Sequence, residues 1–340
     1  MALLALATFV HYKSPFGISI DLYVFAIIYA CFFFFARALV LIPICLILND
    51  LSYVRPNALP AFVLLNALLL VKWMALGLFT VVTLTKFRET RRYQSLIQKD
   101  VALARTLQRA LMTPRFESPA VRVDALIHQT HEIGGDFYWF RPFKEKYVVL
   151  SLGDIMGKGI PASMVMAIVM GFFYEWGKQS FSPADILKRL NERLYSLWKS
   201  DDAWFVTMFY AIYDEESREL VFSSGGHQAA LLVPAEEGRP IEHLKTEGLP
   251  VGIFDETEWE EKRVSLNKGD RLVVFTDGVN EARNPEGEIF TTNRLEEVLL
   301  ASRRLAPAEV ARTVAQRVRD WVASDDLGDD VAILVMEIKA

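Results

Sequence analysis

Two long apolar runs near the N-terminus set the strongest constraint on how this chain of 340 residues can fold. Leu22–Leu48 and Leu59–Thr85 each contain 27 residues, and each carries one basic residue near its middle, Arg37 and Lys72 respectively. About 20 helical apolar residues suffice to cross a bilayer core of about 30 Å. The runs therefore predict two transmembrane helices. Shorter interfacial helices are the alternative, because a charge at bilayer depth is costly.

Basic residues follow the second run closely: Lys86, Arg88, Arg91 and Arg92. Basic residues beside a span favour the cytoplasmic side of a membrane. We therefore predict a multi-pass protein of the cell inner (cytoplasmic) membrane. In this interpretation residues 1–86 form the membrane region, and the remainder of the chain lies in the cytoplasm.

The two parts of the chain differ in charge. The first 86 residues carry five basic and two acidic side chains, whereas the remaining 254 carry 32 basic and 40 acidic ones, a net charge of −8. This balance argues against a nucleic-acid partner, which requires a basic surface, and it suits a site that attracts cations. Cys31 and Cys45 both lie in the first apolar run, so neither a disulfide framework nor a cysteine metal site is expected.

Residues 87–113 are predicted to form a connector helix, because Phe87–Met112 contains neither Gly nor Pro. Pro114 is expected to end it. Six positions in the segment follow a 4-3-4-3-4 spacing: Tyr93, Ile97, Asp100, Ala104, Leu107 and Leu111. Five of them are apolar or aromatic, which is typical of a coiled-coil seam and also of a helix packed on a domain. A homodimer through this helix and simple packing on the next domain both remain open.

Residues 115–340 alternate between strand-like and helix-like segments. By β-branched and aromatic content the predicted strands are Val121–His128, Phe137–Phe140, Tyr147–Leu152, Phe205–Tyr213, Leu220–Ser223, Ala230–Pro234, Arg271–Phe275 and Val331–Ile338. The predicted helices are Pro161–Trp176, Pro183–Trp198, Asn293–Leu299 and Pro307–Ala323. Strands lie at both ends and helices come in pairs between them. This order predicts an α+β fold in which two sheets form a β-sandwich flanked by helices.

Aspartates recur beside glycines at four predicted strand edges: Gly135-Asp136, Gly153-Asp154, Asp277-Gly278 and Gly328-Asp329-Asp330. Strand ends place side chains at the rim of a sheet, and glycine permits close approach. Carboxylate oxygens suit hard cations such as Mg²⁺ and Mn²⁺. Two such ions can generate a hydroxide and clamp a phosphoryl group. One Asp-Gly pair is normally only a turn, so the interpretation depends on all four segments together.

In their order along the chain these segments resemble the SpoIIE/RsbU branch of the PPM family, metal-dependent protein serine/threonine phosphatases related to protein phosphatase 2C. The similarity runs from about Val101 to Met336 and includes segments 103–111, 134–138, 153–159, 207–211, 224–227, 248–253, 276–282 and 329–334. The resemblance implies the αββα sandwich of that family for residues 115–340, and a protein phosphatase activity.

The resemblance also implies a site for two Mn²⁺ or Mg²⁺ ions and no organic cofactor. The implied metal ligands are Asp136, Asp154, the carbonyl of Ile155, Asp277 and Asp329. Asp154 would be the central catalytic residue, because it would bridge the two ions. Asp277 and Asp329 would complete one ion's ligands, and Asp136 would serve the other. Asp329 is preferred to Asp330 because it occupies the first position of the family's final acidic pair.

The implied reaction is attack of a metal-bridging hydroxide on phosphoserine or phosphothreonine of a signalling protein. The resemblance points to a phosphorylated STAS-type anti-sigma-factor antagonist as substrate, with regulation linked to the membrane. Met156 stands where eukaryotic relatives have a histidine proposed as general acid, so that role is unassigned. Trp139 replaces a frequently acidic position. A structural role is expected for His227, while Lys158 could attract phosphate or simply be solvated.

Two other functions are compatible with parts of the pattern. A catalytically silent sensor or scaffold would bind a phosphoprotein without hydrolysing it, but all four ligand aspartates are present. The Gly134-Gly135-Asp136-Phe137 string also resembles a diguanylate cyclase signature. That alternative leaves Asp277 and Asp329 without a role and lacks a second acidic residue at Phe137.

Overall fold

The computed structural model describes residues 59–176, 182–198 and 204–340. Contacts divide the chain into two compact units, Met1–Gln98 and Lys99–Ala340. The first predicted membrane span, Leu22–Leu48, lies outside the described residues.

A single helix, α1, runs without interruption from Leu59 to Leu111 and contains the second apolar run. Within the described ranges, however, no helix combines the length and the apolarity that a membrane crossing requires. The prediction of a multi-pass membrane protein is therefore wrong. Lys72 supplies the physical reason for this run, because it divides the run into two stretches of 13 residues each. Each stretch is about 20 Å long at 1.5 Å per residue, short of a bilayer core of about 30 Å.

The second unit contains two antiparallel sheets. The first has the order β1-β2-β11-β10-β7-β8, with strands β1 Arg115–Glu117, β2 Val121–His128, β7 Ala230–Val233, β8 Glu242–Leu244, β10 Arg271–Phe275 and β11 Val331–Ile338. The second has the order β3-β4-β5-β6-β9, with strands β3 Phe137–Phe143, β4 Tyr147–Ile155, β5 Val206–Asp214, β6 Glu219–Gly225 and β9 Lys262–Ser265.

Helices lie beside both sheets. The helices of this unit are α2 Ile160–Trp176, α3 Pro183–Leu197, the one-turn α4 Asp277–Asn280, α5 Thr291–Ala301 and α6 Pro307–Val322. On the second sheet, α2 packs against β4, and α3 packs against β5 and β6. In the first sheet, α6 contacts β2 and β11 and also packs on α5. The predicted α+β sandwich of two sheets flanked by helices is confirmed.

The central strand β11 illustrates why the chain forms these layers. Its alternate residues Ala332, Leu334 and Met336 join the large core that includes residues from both sheets, α2 and α3. Val331, Ile333 and Val335 face the opposite way, into a second core with α5 and α6. Successive side chains of a strand point to opposite faces, so a strand buried on both sides is apolar throughout.

Candidate active site

The four predicted aspartate segments meet at one edge of the sandwich. Asp136 immediately precedes β3, and Asp154 is the penultimate residue of β4. Asp277 lies two residues beyond β10, and Asp329 and Asp330 immediately precede β11. Because β3 is antiparallel to β4, and β10 to β11, the start of one strand lies beside the end of its partner. Carboxylates that are distant in sequence are therefore neighbours.

Two cavities border three of these side chains, Asp154, Asp277 and Asp329. Asp154 and Asp277 line a cavity of about 590 Å³, together with Thr207, His227 and Gln228 among others. Asp277 and Asp329 line a second cavity of about 340 Å³. Since Asp277 and Glu281 border both, the two cavities adjoin at the turn that follows β10.

Asp136 and Asp154 form a carboxyl pair joined by a hydrogen bond. Asp136 is almost completely buried, and burial together with the charge of Asp154 holds its pKa well above the usual range. Burial also raises the pKa of Asp154 to about 7, although the hydrogen bond from Asp136 acts in the opposite direction. In both residues burial is the largest effect, and the repulsion between neighbouring carboxylates opposes full ionisation of the pair.

The remaining carboxylates extend this negative region. Partial desolvation, with the charges of Asp329 and Glu281, raises the pKa of Asp277. Burial likewise raises the pKa of Asp330, whose Oδ1 accepts a hydrogen bond of 2.8 Å from the backbone N–H of Thr130.

Lys158 forms an ion pair with one of these carboxylates. The Lys158 ammonium lies 2.9 Å from Asp329 Oδ1, and both side chains are partly exposed. Asp329 is therefore accessible from the cavity that it shares with Asp277, whereas Asp330 is directed toward the buried side of the cluster.

The donor set fits hard divalent cations in its chemistry, since it consists of carboxylate oxygens whose mutual repulsion a cation would relieve. Within the described residues, however, no group of three His, Cys, Asp or Glu side chains is arranged so that it could hold one metal ion. The contacts explain this result. Asp136 and Asp154 are turned toward each other, and Asp329 is turned toward Lys158. Binding of an ion would have to replace these contacts.

Close approach requires glycine at several points of the aspartate segments, as Gly135 and Gly278 show. A Cβ on Gly135 would lie 2.8 Å from the carbonyl oxygen of Ile155, and a Cβ on Gly278 would overlap the carbonyl oxygen of Asp330. The backbone at these points therefore has no room for a side chain. Gly135 also places the Ile155 carbonyl directly beside the segment that carries Asp136.

Two residues that position the cluster were not identified from the sequence. Thr276 is completely buried, and its hydroxyl donates a 2.8 Å hydrogen bond to Asp136 Oδ2 and accepts one of 3.0 Å from the Ala332 N–H. Gln108, near the end of α1, donates through Nε2 to the Gly134 carbonyl at 2.8 Å. The only available signal was that both lie within segments that carry the family resemblance.

The Thr276 hydroxyl yields a stability prediction. Thr276→Val keeps the side-chain shape but leaves Asp136 Oδ2 and the Ala332 N–H without this partner. A buried polar group left unsatisfied costs about 1–3 kcal/mol, so we expect the unfolding free energy in urea to fall by about that amount. Thr313→Val is the control, because it removes an exposed hydroxyl on α6 that donates a hydrogen bond to the Glu309 backbone carbonyl. It should change the unfolding free energy by less than about 0.5 kcal/mol. Equal stability of the two variants would contradict the assignment.

His227 occupies the wall of the larger cavity, where both of its ring nitrogens are engaged. Nε2 lies 3.0 Å from the Phe275 carbonyl, which can only accept, so Nε2 carries the hydrogen. Nδ1 lies 3.0 Å from Thr207 Oγ1 and, in the neutral ring, accepts from that hydroxyl. Burial lowers the pKa of His227 to about 4. A neutral ring with both nitrogens committed does not serve as a general acid.

One departure from the family pattern also has a structural explanation. Trp139 is buried, and its ring packs 5.3 Å from that of Phe173 on α2, so this position fills the core. Met156 is partly exposed directly after β4.

The fold of the second unit is similar to that of solved PP2C-type structures. It is similar to the SiaA-PP2C domain of Pseudomonas aeruginosa, with a TM-score of 0.61 and 21% identity over 72% of this chain and 98% of that domain. It is also similar to the PP2C phosphatase domain of SpoIIE from Bacillus subtilis, with a TM-score of 0.55 and 19% identity over 66% of this chain and 64% of that one. A structure of RsbX in complex with magnesium has a TM-score of 0.50 and 13% identity over 66% of this chain and 98% of that one. These similarities establish a PP2C-type phosphatase fold.

The particular family follows from the sequence. Residues 144–339 match the model of the family described as Stage II sporulation protein E (SpoIIE), and the chain belongs to this family. The matched range contains Asp154, Asp277 and Asp329, whereas Asp136 lies before it. The predicted SpoIIE-type phosphatase domain is thus confirmed.

Curated relatives carry the corresponding names. The phosphoserine phosphatase RsbU of Bacillus subtilis is 28% identical over 198 residues, covering 58% of this chain and 58% of that protein. The phosphoserine phosphatase RsbP of the same organism is 25% identical over 184 residues, covering 54% and 45%. This chain therefore spans about half the length of the curated relatives that it matches.

Proposed function

We propose that residues 115–340 form a metal-dependent protein phosphatase domain that hydrolyses phosphoserine or phosphothreonine on a signalling protein. The observation that carries this proposal is the convergence of Asp136, Asp154, Asp277 and Asp329 at one edge of a PP2C-type sandwich. Family membership and the names of RsbU and RsbP support the reaction class. The cyclase alternative is set aside, because Asp277 and Asp329 adjoin Asp154 in this fold.

The residues proposed to hold two Mn²⁺ or Mg²⁺ ions are Asp136, Asp154, the Ile155 carbonyl, Asp277 and Asp329. The complex of RsbX with magnesium supports the choice of a hard cation. Bound there, such ions supply an activated water as nucleophile and neutralise the phosphoryl oxygens. Asp154 interacts with Asp136, Asp277 and Asp329, which suits a bridging role.

The surrounding residues orient this set. Thr276 holds one oxygen of Asp136, so the other is directed toward Asp154. Lys158 stands at the rim of the smaller cavity. If it were released from Asp329, its ammonium would be available to attract the phosphate of the substrate. The cavity beside Asp154 is open and polar, as expected for a site that admits a phosphorylated side chain of another protein.

We propose a phosphorylated STAS-type anti-sigma-factor antagonist as the substrate, because the resemblance to the SpoIIE/RsbU branch implies it. The names of RsbU and RsbP support phosphoserine as the residue that is hydrolysed. A homodimer through the connector helix remains a further proposal. Its support is that Tyr93, Ile97 and Leu107 are exposed on α1.

Hydrolysis of p-nitrophenyl phosphate and of a phosphoserine peptide by the full chain tests the proposed function. We expect no turnover in EDTA and recovery on addition of excess Mn²⁺ or Mg²⁺, because the nucleophile depends on the cations. Undiminished turnover in EDTA would reject the metal-dependent mechanism. Binding of the phosphopeptide without hydrolysis at any metal concentration would favour a silent sensor or scaffold.

A further inference from the structure

We infer that His227 is a positioning residue whose ring sets the separation between the strand that carries Asp154 and the strand that leads to Asp277. This inference rests on the proposed function, because it concerns how the two metal-ligand segments are held relative to each other. No step of the proposed reaction uses the His227 ring itself.

His227 lies where the chain passes from one sheet to the other. β6 belongs to the second sheet and β7 to the first, and residues 226–229 connect them. Ser224 fixes the backbone here, since its hydroxyl accepts from the His227 N–H at 3.1 Å and donates to the His227 carbonyl at 3.0 Å. Gly226 precedes it with φ of 68°, and a side chain at Gly226 would collide with Pro250. The backbone at His227 is therefore held independently of the contacts of its ring.

One ring contact reaches the second sheet. Nδ1 accepts from the hydroxyl of Thr207, a residue of β5. Thr207 is the cross-strand partner of Asp154 in the β4–β5 ladder. A displacement of Thr207 therefore moves the backbone that carries Asp154.

The other ring contact reaches the first sheet. Nε2 donates to the carbonyl of Phe275, the last residue of β10, two residues before Asp277. Gln228 donates to the same carbonyl through Nε2 at 2.8 Å. Hydrogen bonds from His227 and Gln228 to one carbonyl therefore hold the end of β10, which directly precedes the turn that contains Asp277. The ring thus links the two sheets at the wall of the cavity that Asp154 and Asp277 share.

Packing alone does not require this arrangement. His227 is buried, and an apolar side chain of similar size would fill its volume without the cost of burying two ring nitrogens. What a histidine adds is one donor and one acceptor on opposite sides of a rigid ring, with one partner on each sheet. Residues that hold metal ligands in place typically change metal affinity by about 10–100-fold when they are replaced.

The test compares three replacements in the full chain. His227→Leu removes both hydrogen bonds, His227→Gln can restore a donor near the Nε2 position, and Thr207→Val removes only the contact with the second sheet. Mn²⁺ affinity is measured by titration calorimetry without substrate, alongside kcat and KM for p-nitrophenyl phosphate. Urea unfolding of the metal-free protein reports stability.

We expect His227→Leu to weaken Mn²⁺ binding by about 10-fold or more, with the loss in turnover appearing in kcat at saturating substrate. His227→Gln should recover most of the affinity, and Thr207→Val should lie between the two. His243→Leu is the matched control, because His243 is exposed and pairs with Glu296 on the surface. It should bind Mn²⁺ like the wild type.

Wild-type Mn²⁺ affinity in His227→Leu would overturn the inference. Equal losses of Mn²⁺ affinity in His227→Leu and His227→Gln, in proportion to their losses of unfolding free energy, would also overturn it. If His227→Leu does not fold, the comparison of His227→Gln with Thr207→Val decides, and equal affinity of both with the wild type overturns the inference. A wild-type protein with no metal-dependent turnover would instead reject the proposed function, whatever the variants do.

Discussion

Replacing Asp154 with asparagine is expected to lower kcat for p-nitrophenyl phosphate by about 10²–10³-fold, the loss typical when one charge-stabilising group of a transition state is removed. The effect is large because Asp154 interacts with Asp136, Asp277 and Asp329 at once, so it is the residue proposed to be shared by both cations. Steady-state kinetics at saturating Mn²⁺ measures the change. Asp320→Asn on the exposed face of α6 is the matched control and should retain wild-type turnover.

Asp154→Asn should be more stable than the wild type, although it is less active. In the metal-free protein, Asp154 is a buried carboxyl among other carboxyls, and removing its charge relieves repulsion. We therefore expect the unfolding free energy of Asp154→Asn in EDTA at pH 8 to exceed that of the wild type. Near-wild-type turnover would reject the bridging role. Lower stability together with lower turnover would indicate that Asp154 is needed for folding.

Metal-free wild-type protein is expected to lose stability as the pH rises. The pKa of Asp154 is raised from an ordinary value near 4 to about 7, so the folded state binds more protons than the unfolded state between these values. The stabilising contribution is complete below the unfolded pKa and is lost as the pH rises through the folded pKa. From pH 5 to pH 8 this corresponds to about 2–3 kcal/mol, at about 1.4 kcal/mol per pKa unit.

Urea denaturation in EDTA at both pH values measures this loss, and Asp154→Asn serves as the reference. The buried His227 titrates in the opposite sense below its unfolded pKa, and the difference between wild type and variant cancels that contribution. Saturating Mn²⁺ should reduce the loss and add about 2.7 kcal/mol of stability at 100 times its Kd. A wild-type protein whose stability follows that of the variant across this range would contradict the proposed carboxyl cluster.

The sequence predicted the long strands well and the short ones poorly. β2, β10 and β11 have the bounds that their apolar content indicated. β1, β8 and β9 were not predicted, since strands of three or four residues with exposed side chains carry no alternation to detect. They exist because a neighbouring strand offers hydrogen bonds, which is a tertiary effect.

Hydropathy was a poor guide at the other end of the chain. The run Leu59–Thr85 is helical as its composition indicates, but it continues as the same helix into a charged stretch. Average apolarity predicts that a segment avoids water. It does not distinguish a membrane crossing from other surroundings, and Lys72 in the middle of the run had already weakened that interpretation.

The sequence by itself determined which residue types could form the site: oxygen ligands at strand ends, each in a segment that contains a glycine. Only the tertiary structure decided which partner each carboxylate meets. Thr276 reaches Asp136 across 140 positions, and Lys158 rather than another aspartate lies against Asp329. These pairings follow from strand register and from the packing of one sheet on the other. A hydrogen bond depends on the final distance between two atoms, and no local pattern in the sequence specifies that distance.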